Sequence, residues 1–85
     1  MRQIKKVVPR RNFFLVLEFD NGEVRLFDVK PYLRGTLFEP LKDEGLFRQV
    51  EVEKDFGGLV WPNGADLCAD MVYMHAEPVD VGAVA

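Results

Sequence analysis

The heptapeptide Trp61-Pro62-Asn63-Gly64-Ala65-Asp66-Leu67 constrains this chain more than any other stretch, because each residue suits one step of a passage out of a strand. Leu59, Val60 and Trp61 read as a buried strand, and Pro62 stops the ladder because it has no N–H. Asn63 and Gly64 tolerate positive φ, and Asp66 is placed to cap whatever helix follows. The order strand, turn, helix describes an architecture and no chemistry. Trp61 is the only tryptophan. A side chain of that size in a small domain reads first as core, ahead of an interface anchor or the wall of a ligand groove.

A first strand is predicted from Ile4, Val7 and Val8, ended by Pro9-Arg10-Arg11-Asn12, and a second from the β-branched and aromatic run Phe13 to Phe19. Asn21-Gly22 then turns the chain. A two-residue type I′ turn there sets Phe19 opposite Val24, Glu18 opposite Arg25, Leu17 opposite Leu26 and Val16 opposite Phe27. One face of the hairpin would collect Leu17, Phe19, Val24 and Leu26. The other would join Glu18 to Arg25 and become apolar at Phe14, Val16, Phe27 and Val29.

Beyond the hairpin, Asp28 to Gly35 suggests a helical turn with Pro31 at its start and Gly35 at its exit. Thr36 to Lys42 reads as irregular, anchored by Phe38 and Leu41. Asp43 caps a short helix whose inner side is Leu46, Phe47 and Val50. Val50-Glu51-Val52-Glu53 alternates as a strand, Asp55-Phe56-Gly57-Gly58 turns, and Leu59-Val60-Trp61 pairs back. After the Asn-Gly turn, Leu67, Met71 and Met74, widened by Val72, predict a last amphipathic helix ending near His75. The fold class is therefore α+β: a small antiparallel sheet of two hairpin-like units, about five strands, with two or three short helices packed on it. Residues 1–76 make a single domain, and 77–85, without a large anchor, read as a flexible tail.

Composition narrows the function classes. With 85 residues, 48% of them hydrophobic, there is material for one core. No window approaches the length of a membrane span, and no apolar segment follows the basic start, so a soluble, cytoplasmic protein is expected. Cys68 is the only cysteine, which excludes an internal disulfide and a cysteine-built zinc cage. Charge is unevenly placed. Arg2, Lys5, Lys6, Arg10 and Arg11 are basic in a first seventeen residues without an acid, while residues 18–85 carry an excess of eight negative charges. That acidic body discourages nonspecific binding of nucleic acid, and the basic edge suits an acidic partner or protects an edge strand from pairing.

No constellation of catalytic type emerges. Asp66 and Asp70 lie one turn apart, but capping accounts for an Asp at a helix start without a substrate. His75 is the only histidine, and Asp70, Glu77 and Cys68 form no recognised ligand pattern with it. Cys68 and His75 would be two helical turns apart, too far for a thiolate–imidazole pair. Gly57-Gly58 and Asn63-Gly64 match neither a phosphate loop nor a dinucleotide fingerprint. Arg10-Arg11 with Phe13 and Phe14 suggests a nucleic-acid platform, but alternation sends the two rings to opposite faces.

Phe19-Asp20-Asn21-Gly22-Glu23, Phe27-Asp28-Val29, the Leu41 to Phe47 stretch and the Trp61 to Leu67 signature together resemble domain of unknown function family twenty-four forty-two. That family comprises small, mainly bacterial proteins, and the resemblance runs from about Ile4 to Tyr73. It implies an α+β fold on a small antiparallel sheet, with no catalytic residue, cofactor or metal ligand to transfer. Some relatives append a helix-turn-helix domain, and others are encoded beside a second small domain in an arrangement resembling toxin and antitoxin pairs. Both settings imply partner binding or regulation. This chain ends soon after its last helix, so a DNA reader of its own is not expected, and Ala69 stands where many relatives have proline.

The expectation is a noncatalytic interaction module, either a homodimer or one half of a small bacterial protein pair. Its contacts would come from the first strand edge and the uncovered hairpin face, through Arg10, Arg11, Phe14, Val16 and Phe27. Trp61, Pro62, Asn63, Gly64 and Asp66 are its structural signature. The alternatives are a nucleic-acid-linked transcriptional regulator acting through the basic edge, and an enzyme with a site near Trp61 and Asp66 that uses Asp70 or His75.

Overall fold

Ile4–Pro9 forms strand β1, Phe14–Phe19 β2 and Val24–Asp28 β3, an antiparallel meander built from the runs rich in β-branched and aromatic residues. The computed structural model describes residues 1–79. The chain continues through a 3₁₀ turn at Lys30–Tyr32, helix α1 (Gly35–Phe38), a second 3₁₀ turn at Glu39–Lys42 and helix α2 (Glu44–Phe47). Strands β4 (Glu51–Val52), β5 (Leu59–Val60) and β6 (Asp66–Leu67) follow, then helix α3 (Ala69–His75) and strand β7 (Glu77–Pro78). Two antiparallel sheets result, ordered β1-β2-β3-β7 and β4-β5-β6, and the fold is α+β.

Both Asn-Gly turns have one geometry, and it differs from the expected one in each case. In Phe19-Asp20-Asn21-Gly22-Glu23 the Gly22 N–H donates to the Phe19 carbonyl at 2.9 Å, and the Phe19 N–H donates to the Glu23 carbonyl at 2.9 Å. In Trp61-Pro62-Asn63-Gly64-Ala65 the equivalent bonds measure 3.0 and 2.9 Å. Each Asn side chain accepts from the N–H two residues on, at 3.0 Å for Asn21 and 3.1 Å for Asn63. Within these two loops only the glycines have positive φ, +86° at Gly22 and +96° at Gly64. These are three-residue hairpin loops, a type I turn closed by a glycine in the left-handed region, and not two-residue type I′ turns.

The extra loop residue shifts the register by one. Leu17 pairs with Arg25, Val16 with Leu26 and Leu15 with Phe27. A one-residue slip exchanges the faces of a strand, so Leu15, Leu17, Phe19 and Phe27 point into the core, while Phe14, Val16, Val24 and Leu26 point away from it. For the same reason Asp66 caps no helix. The chain leaves the second Asn-Gly loop as strand β6, with Asp66 opposite Val60, and α3 begins at Ala69 after an extended Cys68. The inner side of α3 is then Ala69 and Val72, with Tyr73 beside them and Ala76 next along, and Met74 is 75% exposed instead of anchoring the stripe.

The core draws Ile4, Leu15, Leu17, Phe19 and Phe27 from the first sheet, Leu59, Trp61 and Leu67 from the second, and Leu41, Phe47 and Val72 from the helical segments. Burial of each large side chain stabilises by about 1.5–3 kcal/mol. Trp61 is 2% exposed, and its Nε1–H donates to the Phe47 carbonyl at 2.9 Å. Phe13 meets Phe47 edge-on at 5.1 Å between centroids, although Asn12 and Phe13 both have positive φ in the β1–β2 connection. Asp43 stands at the start of α2 as expected, without a side-chain capping bond.

Glu77 and Pro78 belong to the sheet and not to a tail. Leu26 pairs with Glu77, and the Val79 N–H donates to the Val24 carbonyl at 2.9 Å. This pairing follows from Arg25, whose guanidinium donates to the carbonyls of Tyr73 and Ala76 at 2.9 and 3.2 Å and fixes the end of α3 beside β3. The remainder of the expected tail, 80–85, lies outside the described residues.

Candidate functional site

Register places three rows of side chains on the face of the four-stranded sheet that turns away from the core. Val8, Val16, Leu26 and Glu77 form the middle row, Lys6, Glu18 and Val24 flank it on one side, and Arg10, Phe14 and Asp28 on the other. Val8 is 48% exposed, and Phe14, Val16, Val24 and Leu26 are half-buried without packing against the core. Of the expected interface residues, Arg10, Phe14 and Val16 therefore share one surface. Arg11 is exposed in the adjoining loop. Phe27 is a correction: it is 1% exposed, on the core side, stacked against Tyr32 at 5.5 Å, because of the register shift. Val8 and Leu26 take its place, and the alternation Lys6, Val8, Arg10 in β1 is the sequence signal for the first of them.

The two outer strands present little backbone for pairing. Arg10 N–H donates to the Phe14 carbonyl, so the even residues of β1 bond to β2, and Val7 and Pro9 face outward. Val79 and Glu77 likewise turn towards β3, which leaves Pro78 facing outward on β7. Each edge thus carries a proline where an outward donor would be, and β1 adds a register irregularity between Ile4 and Lys6.

The electrostatics of this face are divided. Lys6 and Arg10 lie on β1 and Glu77 on β7, with Glu18 and Asp28 between. Lys30 pairs with Asp28 at 3.0 Å and holds its Nζ 4.0 Å from the centre of the Phe14 ring. Among the described residues, Lys5, Lys6, Arg10 and Arg11 form no ion pair.

A second polar cluster lies where the first hairpin meets α3. The Tyr73 hydroxyl donates to Glu23 at 2.6 Å, Arg25 bonds the same carboxylate at 2.7 and 3.0 Å, and the Arg25 guanidinium lies 3.8 Å from the centre of the Tyr73 ring. The Tyr73 hydroxyl and then Arg25 hold the Glu23 carboxyl down to about 2. Asp20 is lowered as well, first by the Gln3 backbone N–H and then by Arg2. These bonds join the hairpin tip to the last helix.

The groups expected for catalysis are not assembled. A cavity of about 350 Å³ over β5 and β6 is lined by Phe56, Leu59, Leu67, Cys68 and Asp66, but not by Trp61, Asp70 or His75. Asp70 instead accepts the Arg2 N–H at 2.7 Å, and His75 is exposed at the far end of α3. Among the described residues no group of His, Cys, Asp and Glu is arranged to hold a metal ion, and no helix is long and apolar enough to cross a membrane.

The model of a family described as a protein of unknown function, DUF2442, matches residues 4–78. That span begins with the first residue of β1 and ends with the last of β7. No curated protein and no solved structure matches the chain.

Proposed function

We propose that this chain, which belongs to the DUF2442 family of proteins of unknown function, acts as a noncatalytic protein-interaction domain through the outer face of its four-stranded sheet. The observation that carries this reading is the contiguous apolar surface of Val8, Val16, Leu26 and Phe14, built on regular strands and left out of the core. An antiparallel sheet commonly leaves one face to solvent, but that face is then polar, whereas an apolar patch rimmed by charge marks an interaction site. The outward prolines bear on the mode. They oppose strand addition at either edge and leave packing on the face as the available contact. The partner is a protein, either a second copy or a separate small chain in the manner of paired toxin and antitoxin domains.

The exposed cations Lys5, Lys6, Arg10 and Arg11 favour one competing reading, a contact with nucleic acid at the start of the sheet. Affinity purification with tagged wild type, Leu26→Glu and a double Arg10→Ala/Arg11→Ala variant, with and without nuclease, separates the two. A stoichiometric protein retained by wild type and lost with Leu26→Glu, at unchanged melting temperature, is the expected result. Retention that survives Leu26→Glu overturns the reading, and so does capture that disappears with nuclease and with the arginine variant.

A further inference from the structure

We infer that the occupant of this face is a second copy of the chain, packed sheet on sheet about a two-fold axis running along the strands between β2 and β3; this rests on the interaction reading above. The charges on the face decide the matter. Lys6, Arg10 and Lys30 are matched in number by Glu18, Asp28 and Glu77, so the face as a whole favours neither a strongly acidic partner nor a polyanion. It is polarised instead, positive along β1 and negative on β7.

A two-fold axis parallel to the strands preserves position along the strand and exchanges the two sides of the sheet. Strand β1 of one copy then covers β7 of the other, and β2 covers β3. Val16 meets Leu26 of the second copy in the centre. Glu77 of the second copy, which shares its row with Val8, falls between Lys6 and Arg10, each one same-face step of about 7 Å away. A two-fold axis running across the strands keeps each strand over its own copy. It sets Lys6 against Arg10 and Glu77 against Glu77, which like-charge repulsion disfavours. The face is thus self-complementary in one orientation only. Lys6 and Arg10 have side chains long enough to lean along the strand towards that carboxylate, and the rotation of about −30° between stacked sheets shifts it towards one of them.

Strands β1 to β3, of five or six residues each, and β7, of two, lie about 4.8 Å apart and present roughly 300 Å² in projection. Counted on both copies that is about 600 Å², below the roughly 1,000 Å² that a stable specific interface needs, so only a weak, transient dimer is expected, dissociating in the range of about 10–100 µM.

The test is sedimentation velocity from about 5 to 500 µM on wild type, a Lys6→Glu/Arg10→Glu variant, Glu77→Lys, and an equimolar mixture of the two variants. Wild type should dimerise with increasing concentration, and each variant alone should weaken dimerisation at least about tenfold. The mixture should form the heterodimer with affinity near that of wild type, because both of its contacts then join opposite charges. Restoration on mixing also shows that neither variant lost dimerisation by misfolding. Wild type that stays monomeric at 500 µM overturns the inference, as does a mixture no better than its components. If Leu26→Glu still releases a different captured protein while wild type is monomeric, the interaction reading stands and only the second copy is refuted.

Discussion

Gly58→Ala puts a methyl group where the chain has no space. The φ of Gly58 lies outside the left-handed region, so the obstacle is space: an added Cβ would lie 2.6 Å from the Leu67 carbonyl oxygen. An ordinary contact begins near 3.4 Å. Strands β5 and β6 would have to part by most of an ångström at the point where Leu59 pairs with Leu67, both of them in the core. Forcing atoms into a packed region costs about 1–3 kcal/mol, against which replacing glycine returns up to about 1 kcal/mol through the unfolded chain. A net loss of about 1–2 kcal/mol is expected, which in a domain of this size lowers the melting temperature by roughly 4–16 °C. Gly22→Ala and Gly64→Ala provide the contrast, since nothing lies within 4 Å of either added Cβ and their φ values are +86° and +96°. Their cost, about 1–2 kcal/mol, is conformational, and Asn at either position should recover part of it. Thermal and urea unfolding followed by circular dichroism would separate the two causes. A Gly58→Ala variant within about 0.5 kcal/mol of wild type, or a Gly58→Asn variant more stable than Gly58→Ala, would refute the steric argument.

Trp61→Phe removes both ring volume from the core and the donor to the Phe47 carbonyl; a loss of about 2–4 kcal/mol is expected, read as a lower urea midpoint at unchanged slope. A shift below about 1 kcal/mol would show that the Phe47 carbonyl finds another partner. Glu23→Gln addresses acid stability. Because the folded pKa of Glu23, about 2, lies below its ordinary value of 4.5, the carboxylate stabilises the fold above that ordinary value and ceases to do so as pH falls towards the folded one. Melting temperatures of wild type and Glu23→Gln should therefore differ most near neutral pH and converge across that interval, and parallel curves would contradict this account.

The meander, the two Asn-Gly turns, the short acid-started helix before β4 and the buried Trp61 were all legible in the sequence, because each rests on local chemistry. Register was not. Asn-Gly suits both a two-residue and a three-residue hairpin loop, and the difference depends on whether Asn or only Gly takes positive φ. That one residue moved Phe27 into the core and brought Leu26 out. The same loop after Trp61 made a strand of Asp66 and Leu67 where a helix start was expected, since a pairing partner in β5 is a tertiary fact. Nor do Glu77 and Pro78 advertise a strand. They pair because Arg25, about fifty residues earlier, grips the carbonyls at the end of α3. At the candidate site, Arg10, Phe14 and Val16 were readable from alternation alone, whereas their neighbours on β3 required the true register.

The pairing of β7 with β3 also bears on how the chain is made. Strands β1 to β3 emerge early in synthesis and pair locally, but the free side of β3, with Val24 and Leu26 on the outer face, stays open until Glu77 and Val79 arrive. Only then does the outward Pro78 replace that open border. A chain cut before Glu77 would keep most of its core and yet expose an unguarded strand, so premature termination here should yield a sticky, self-pairing product instead of a merely weaker fold.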